Sequence, residues 1–69
     1  MKLSNEVKNR IIELGRTIWN GMTNEEQEAF ARYGDGTFGL VEDVLYLLCI
    51  NSEEVDYEEI ISIRDCIVQ

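Results

Sequence analysis

Hydrophobic positions recur along this chain every three or four residues, and polar or glycine-rich points divide the recurrence into segments. Leu3, Val7, Ile11, Leu14, Ile18 and Met22 form the first series, widened into a stripe by Ile12 and Trp19. An apolar stripe of that period is the mark of an amphipathic helix. Ser4 or Asn5 is placed to cap its start, and Asn20 with Gly21 to end it. Gly15 interrupts the segment. A mid-helix glycine costs about 1 kcal/mol against alanine, which predicts that another helix crosses closely there.

Thr23 followed by Glu26 has the spacing of a capping box, starting a short second helix through Glu28, Ala29, Phe30 and Tyr33 that Gly34, Asp35 and Gly36 stop. Thr37 is then placed to cap a third helix. Its apolar residues, Phe38, Leu40, Val41, Val44, Leu45, Leu47, Leu48 and Ile50, cover nearly the whole circumference, so this helix is expected at the centre, with a strand as the lesser reading. Asn51 and Ser52 break the pattern. Asp56 with Glu59 forms another capping box, flanked by Val55 and Ile60 as a hydrophobic staple. The fourth helix is expected to bury Tyr57, Ile60, Ile61, Ile63, Cys66, Ile67 and part of Val68. Short connections predict an all-α fold, a small irregular four-helix bundle with antiparallel neighbours, built as a single domain over residues 1–69.

Composition sharpens this picture mainly by exclusion. Hydrophobic residues make up 45% of the chain, enough to fold, while six bases against fourteen acids give a formal charge of -8. Nucleic-acid binders neutralise phosphates with Lys and Arg, so direct binding of DNA or RNA is not expected, nor is docking on an anionic membrane. The longest apolar run, Val44 to Ile50, is far shorter than the ~20 residues a membrane span requires. The N-terminus carries no apolar signal core, so the cytoplasm is the expected compartment, that of a host cell if the chain is phage-encoded. There Cys49 and Cys66 are expected as reduced thiols among apolar neighbours rather than as a disulfide. The absence of histidine removes the usual general base and the commonest metal ligand, so neither an enzyme nor a metal or cofactor protein is expected.

Two fragments resemble EF-hand calcium sites. TNEEQEAFARYGDGTF is similar to an entering helix and loop, and EVDYEEI to a loop end running into an exiting helix. The resemblance implies Asp35 and Glu42 as calcium ligands. Setting Glu42 at loop position 12 places Asp35 at 5, Gly36 at 6 and Phe38 at 8, but it also puts Ala31 and Tyr33 where positions 1 and 3 need oxygens. Setting Glu59 at position 12 puts Leu48, Ile50 and Ser52 at 1, 3 and 5. A degenerate calcium binder is therefore a minor alternative.

Charge is distributed unevenly. Residues 1–24 hold four bases and two acids, a net +2, whereas residues 25–69 hold two bases and twelve acids, a net -10. Two clusters stand out: Glu25, Glu26 and Glu28 at the start of the second helix, and Glu53, Glu54, Asp56, Glu58 and Glu59 around the start of the fourth. Acids at helix N-termini favour the macrodipole and keep a small domain soluble, which accounts for part of the pattern. The functional expectation is a stoichiometric inhibitor or regulator whose acidic clusters occupy a basic, nucleic-acid-binding surface of a partner protein. Phage and mobile-element anti-defence or anti-CRISPR proteins act in that manner. The alternative is a homodimer or larger assembly formed through surplus apolar surface on the third and fourth helices. Trp19 is expected in the core; exposed, it would be a natural interface anchor beside Arg16 and Asn20.

Overall fold

A computed structural model of the chain describes residues 2–33 and 36–68. Among these residues there are four α-helices, α1 (Asn5–Asn20), α2 (Asn24–Arg32), α3 (Thr37–Leu47) and α4 (Tyr57–Val68), with one 3-10 turn at Ser52–Glu54 and no strand. The fold is a small all-α bundle, as the periodicity predicts.

Two predicted caps form in full. The Ser4 hydroxyl accepts a hydrogen bond from the Val7 N–H at 3.2 Å, starting α1. At α2 the Thr23 hydroxyl accepts from the Glu26 N–H while the Glu26 carboxylate accepts from the Thr23 N–H, at 3.1 and 2.9 Å. Each satisfies donors that a helix start otherwise leaves unpaired. Thr37 does not cap α3: that position falls to Gly36, which makes no side-chain bond and holds φ 61° and ψ -141°, a conformation essentially confined to glycine. The predicted stop at Gly34 and Asp35 lies outside the described residues.

The core is made by α1, α3 and α4. Ile11, Val41, Val44, Leu45, Leu40, Ile63 and Ile67 are almost wholly excluded from solvent, and Leu3, Val55 and Ile60 close the edges. Each such aliphatic side chain contributes about 1.5–3 kcal/mol of burial free energy. In α3 only one face is buried; Glu42, Asp43, Tyr46 and Leu47 point outward, so the all-round apolar reading of this helix is too broad. Tyr57, expected in the core, is 65% exposed, and Leu14 also reaches the surface. By contrast α2 buries none of its residues fully. It is fastened by an edge-to-face contact of Phe30 with the half-buried Trp19, ring centroids 6.5 Å apart, and by the Gln27 side-chain amide donating to the Trp19 carbonyl at 2.7 Å.

Helices α1 and α4 run parallel, not antiparallel. The start of α1 meets the start of α4, where Leu3 and Lys8 reach Glu59, and the end of α1 meets the end of α4, where Gly15 faces Ile67 and Arg16 reaches Cys66. Gly15 is the close approach its position predicts. A Cβ there would come within 2.8 Å of Ile67 Cγ1 and closer still to Cδ1.

Helix α3 ends in a Schellman arrangement. The Ile50 N–H donates to the Leu45 carbonyl at 2.9 Å and the Cys49 N–H to that of Tyr46 at 3.0 Å, with Cys49 in the left-handed region at φ 61°. Glycine normally takes that position; a side chain there costs about 1–2 kcal/mol.

Two outcomes follow for urea denaturation. Gly15→Ala should destabilise the fold by about 1–3 kcal/mol, the overpacking against buried Ile67 outweighing the ~1 kcal/mol gain in helix propensity. Adding Ile67→Val should recover part of that loss, and strict additivity would exclude the contact as its cause. Cys49→Gly should raise stability by about 1 kcal/mol, and a fall would mean that the thiol packs usefully.

Candidate protein-docking face

The acids that open α4 do not act alike. Glu59 lies on the same side of the helix as Ile63 and Ile67 and is only 7% exposed. Its carboxylate accepts from the Leu3 N–H at 3.0 Å and pairs with the Lys8 ammonium at 3.1 Å. The expectation that Glu59 belongs to the docking surface is therefore corrected: it crosses to α1 and fastens the bundle. The same engagement is incompatible with its serving as an EF-hand ligand. The Leu3 N–H is the main reason its carboxyl sits below the ordinary value of 4.5; burial opposes the shift and Lys8 adds to it. Glu26 is likewise lowered, by the Thr23 N–H and then the Thr23 hydroxyl, so its carboxylate is occupied by the cap.

Glu53, Glu54, Asp56 and Glu58 remain on the surface, as do Glu25 and Glu28 on α2. The two clusters line separate depressions, Glu25 and Glu28 with Ala29, Arg32 and Tyr33 in one, and Glu53 with residues of α3 and α4 in another. Four of the bases make contacts among the described residues, two of them between helices, while Lys2 and Arg10 are exposed. Lys8 goes to Glu59, the Arg16 guanidinium donates to the Cys66 carbonyl near the end of α4 at 2.9 Å, Arg32 lies 3.8 Å from Glu28, and Arg64 pairs with Asp65 at 2.8 Å. Glu42, Glu53 and Glu58 enter no ion pair among the described residues.

Sequence reading missed the depression that Glu53 lines. It is a groove of about 380 Å³ between α3 and the start of α4, bordered by Phe38, Glu42, Ser52, Glu53, Tyr57 and Ile60. Phe38 stacks on Tyr57 with centroids 5.6 Å apart and planes 16° from parallel, and the Arg64 guanidinium lies 4.7 Å from the Phe38 centroid. Tyr57 and Arg64 are two turns apart on one helix face, about 10 Å, which is the span one aromatic ring fills between them. Only that shared face of α4 hints at the arrangement; its partner Phe38 comes from a distant part of the chain. Glu42, which the EF-hand resemblance implies as a calcium ligand, stands in the second turn of α3 on the rim of this groove, and Asp35 lies outside the described residues. No group of three or more Cys, Asp or Glu side chains that could hold a metal ion occurs among the described residues.

A second apolar surface is formed by Tyr46, 82% exposed, and Leu47, 65% exposed, with Cys49, Ile50 and Asn51. Cys49 is thus an exposed thiol rather than a buried one, and Cys66 is half-buried; both are free. No helix among the described residues is long and apolar enough to cross a membrane. Comparison with protein-family models, with curated proteins and with solved structures gives no match.

The lowered carboxyl of Glu59 sets a pH dependence. A depressed acid stabilises the fold fully above its unfolded value, and the contribution is lost as pH falls through the folded one. Glu59→Gln should therefore melt below the wild type at neutral pH, and the gap should close as pH drops below 4.5. Melts followed by circular dichroism down to about pH 3 check this; a gap that persists in acid would assign the role of Glu59 to shape rather than charge.

Proposed function

We propose that this protein is a stoichiometric binding module, not an enzyme, that occupies a basic surface of a partner protein and thereby acts as an inhibitor or regulator. The observation that carries the reading is the sorting of charge. Lys8 and Arg16 are engaged between α1 and α4, while Glu53 and Glu58 near the start of α4 and Glu42 on α3 stand exposed without ion pairs among the described residues. A surface sorted in this way steers association with a cationic target and weakens sharply with added salt. Basic surfaces of that kind commonly hold nucleic acid, so the module would exclude DNA or RNA by competition. An anti-defence or anti-CRISPR role of phage or mobile-element type is the specific form of this proposal, in the cytoplasm of the host.

Self-association is the second reading, favoured by one observation, the adjacent exposed Tyr46 and Leu47. The charge of -8 on each copy opposes it at low salt. Contacts through Tyr46 and Leu47 would survive high salt, and Leu47→Glu would abolish them.

The test is capture of partners on the tagged protein, eluted in salt steps, beside a Glu53→Lys, Glu58→Lys variant. The expected result is a nucleic-acid-handling protein released at moderate salt, displaced by its own nucleic acid, and lost from the variant while the variant's helical spectrum is unchanged. Equal retention by both proteins would move the interface away from these acids.

A further inference from the structure

The groove beside Tyr57 combines features that select one kind of side chain. Its lining combines the aromatic and apolar Phe38, Tyr57 and Ile60 with Ser52 and two carboxylate residues, Glu42 from α3 and Glu53 from the 3-10 turn. The stack running through it begins with a guanidinium: Arg64 covers one face of Phe38, and Phe38 covers one face of Tyr57. Tyr57 remains 65% exposed, so its outer face is open to solvent at the mouth of the groove. An aromatic face attracts cations through its quadrupole, and flanking carboxylates reinforce the attraction. Arginine suits such a site better than lysine, because its planar guanidinium stacks on the ring and still donates in plane to carboxylates.

We infer that the groove between Glu42, Glu53 and Tyr57 is an arginine-binding site, in which an arginine side chain projecting from the partner protein stacks on the outer face of Tyr57. The occupant would extend the alternation already present in the chain, adding a second guanidinium beyond the aromatic pair. The site thus rests on the proposed docking of the acidic face and names the residue type it grips. An acidic surface alone does not distinguish lysine from arginine; this groove does.

Titration of isotopically labelled protein with the capped peptide Gly-Arg-Gly-Arg-Gly, followed by amide chemical shifts, tests it against the lysine and citrulline counterparts. Saturable shifts centred on Phe38, Glu42, Glu53 and Tyr57 are expected with arginine, with affinity about 2- to 5-fold lower for lysine and no saturable binding for citrulline. Tyr57→Leu, which keeps an apolar side chain but removes the ring, should erase the preference for arginine. Glu53→Gln, at an exposed position, should weaken both cationic peptides while leaving the melting temperature in place. Shifts spread evenly over Glu25, Glu28 and Glu58, equal for arginine and lysine, would overturn the arginine site and leave the acidic-surface reading standing. Absence of shifts with either cationic peptide would overturn the site as well, the acidic surface then being judged by salt-step capture alone. Movement of the same amides on dilution without peptide would assign the groove to a second copy of the chain and overturn the proposal.

Discussion

The carboxylate of Glu59 sits at the first turn of α4, accepting from the Leu3 N–H and paired with Lys8, and the placement of α1 along α4 depends on it. Removing a carboxylate from water disfavours its charged form unless hydrogen-bond donors replace the lost solvent. Here a backbone N–H and an ammonium do so, both from the first eight residues of the chain. That pairing sets a register, which two other contacts share. Gly15 meets Ile67, and the Arg16 guanidinium meets the Cys66 carbonyl. A slip of one helical turn, about 5.4 Å, would break all three together. Parallel helices also align their dipoles unfavourably. Arg16 at the C-terminal end of α4 and Glu59 at its N-terminal end place charges of the sign that each end prefers.

Helix α2 stands outside this arrangement. Its capping box is complete and its first turn acidic, so its local helix signals are strong, yet it buries no residue fully. What attaches it is the contact between Phe30 and Trp19 and one side-chain hydrogen bond from Gln27. An element held by local signals and few buried apolar contacts belongs to the least stable part of a fold. The bundle is accordingly a three-helix core with a fourth helix laid against its side. The acids Glu25 and Glu28 ride on that outlying helix, apart from the groove of Glu42 and Glu53.

Most features governed by neighbours in sequence were legible without coordinates, the cap of α3 excepted, where Gly36 takes the place read for Thr37. The caps at Ser4 and Thr23, the breaks between helices and the purpose of Gly15 all follow from spacing and residue type. The direction in which helices pack was not legible, because it depends on contacts such as Leu3 with Glu59 that join opposite ends of the chain. Among the acids near the start of α4, composition treats Glu58 and Glu59 alike. Helical geometry separates them: Glu59 shares a face with Ile63 and Ile67, four and eight residues on, and that face is the buried one. In α3 the apolar letter Leu47 masks a helix with one wet face, since residue type records the tendency to be buried and not the presence of a covering element. The stack of Arg64, Phe38 and Tyr57 was beyond reach for the same reason as the parallel packing.

The internal use of the bases and the outward field of the acids are two sides of one arrangement. Lys8 and Arg16 carry much of the positive charge of the N-terminal half, and both are spent on holding α1 against α4. Glu53 and Glu58, meanwhile, are exposed and enter no ion pair among the described residues, and residues 25–69 carry a net -10. Such a field raises the rate of encounter with a basic target but does little to fix orientation, since scattered carboxylates accept cations from many directions. Orientation needs a contact with shape. The exposed face of Tyr57, backed by Phe38 and bordered by Glu42 and Glu53, is where shape and charge coincide on this surface, because a planar cation can satisfy the ring and a carboxylate only from a narrow range of approach.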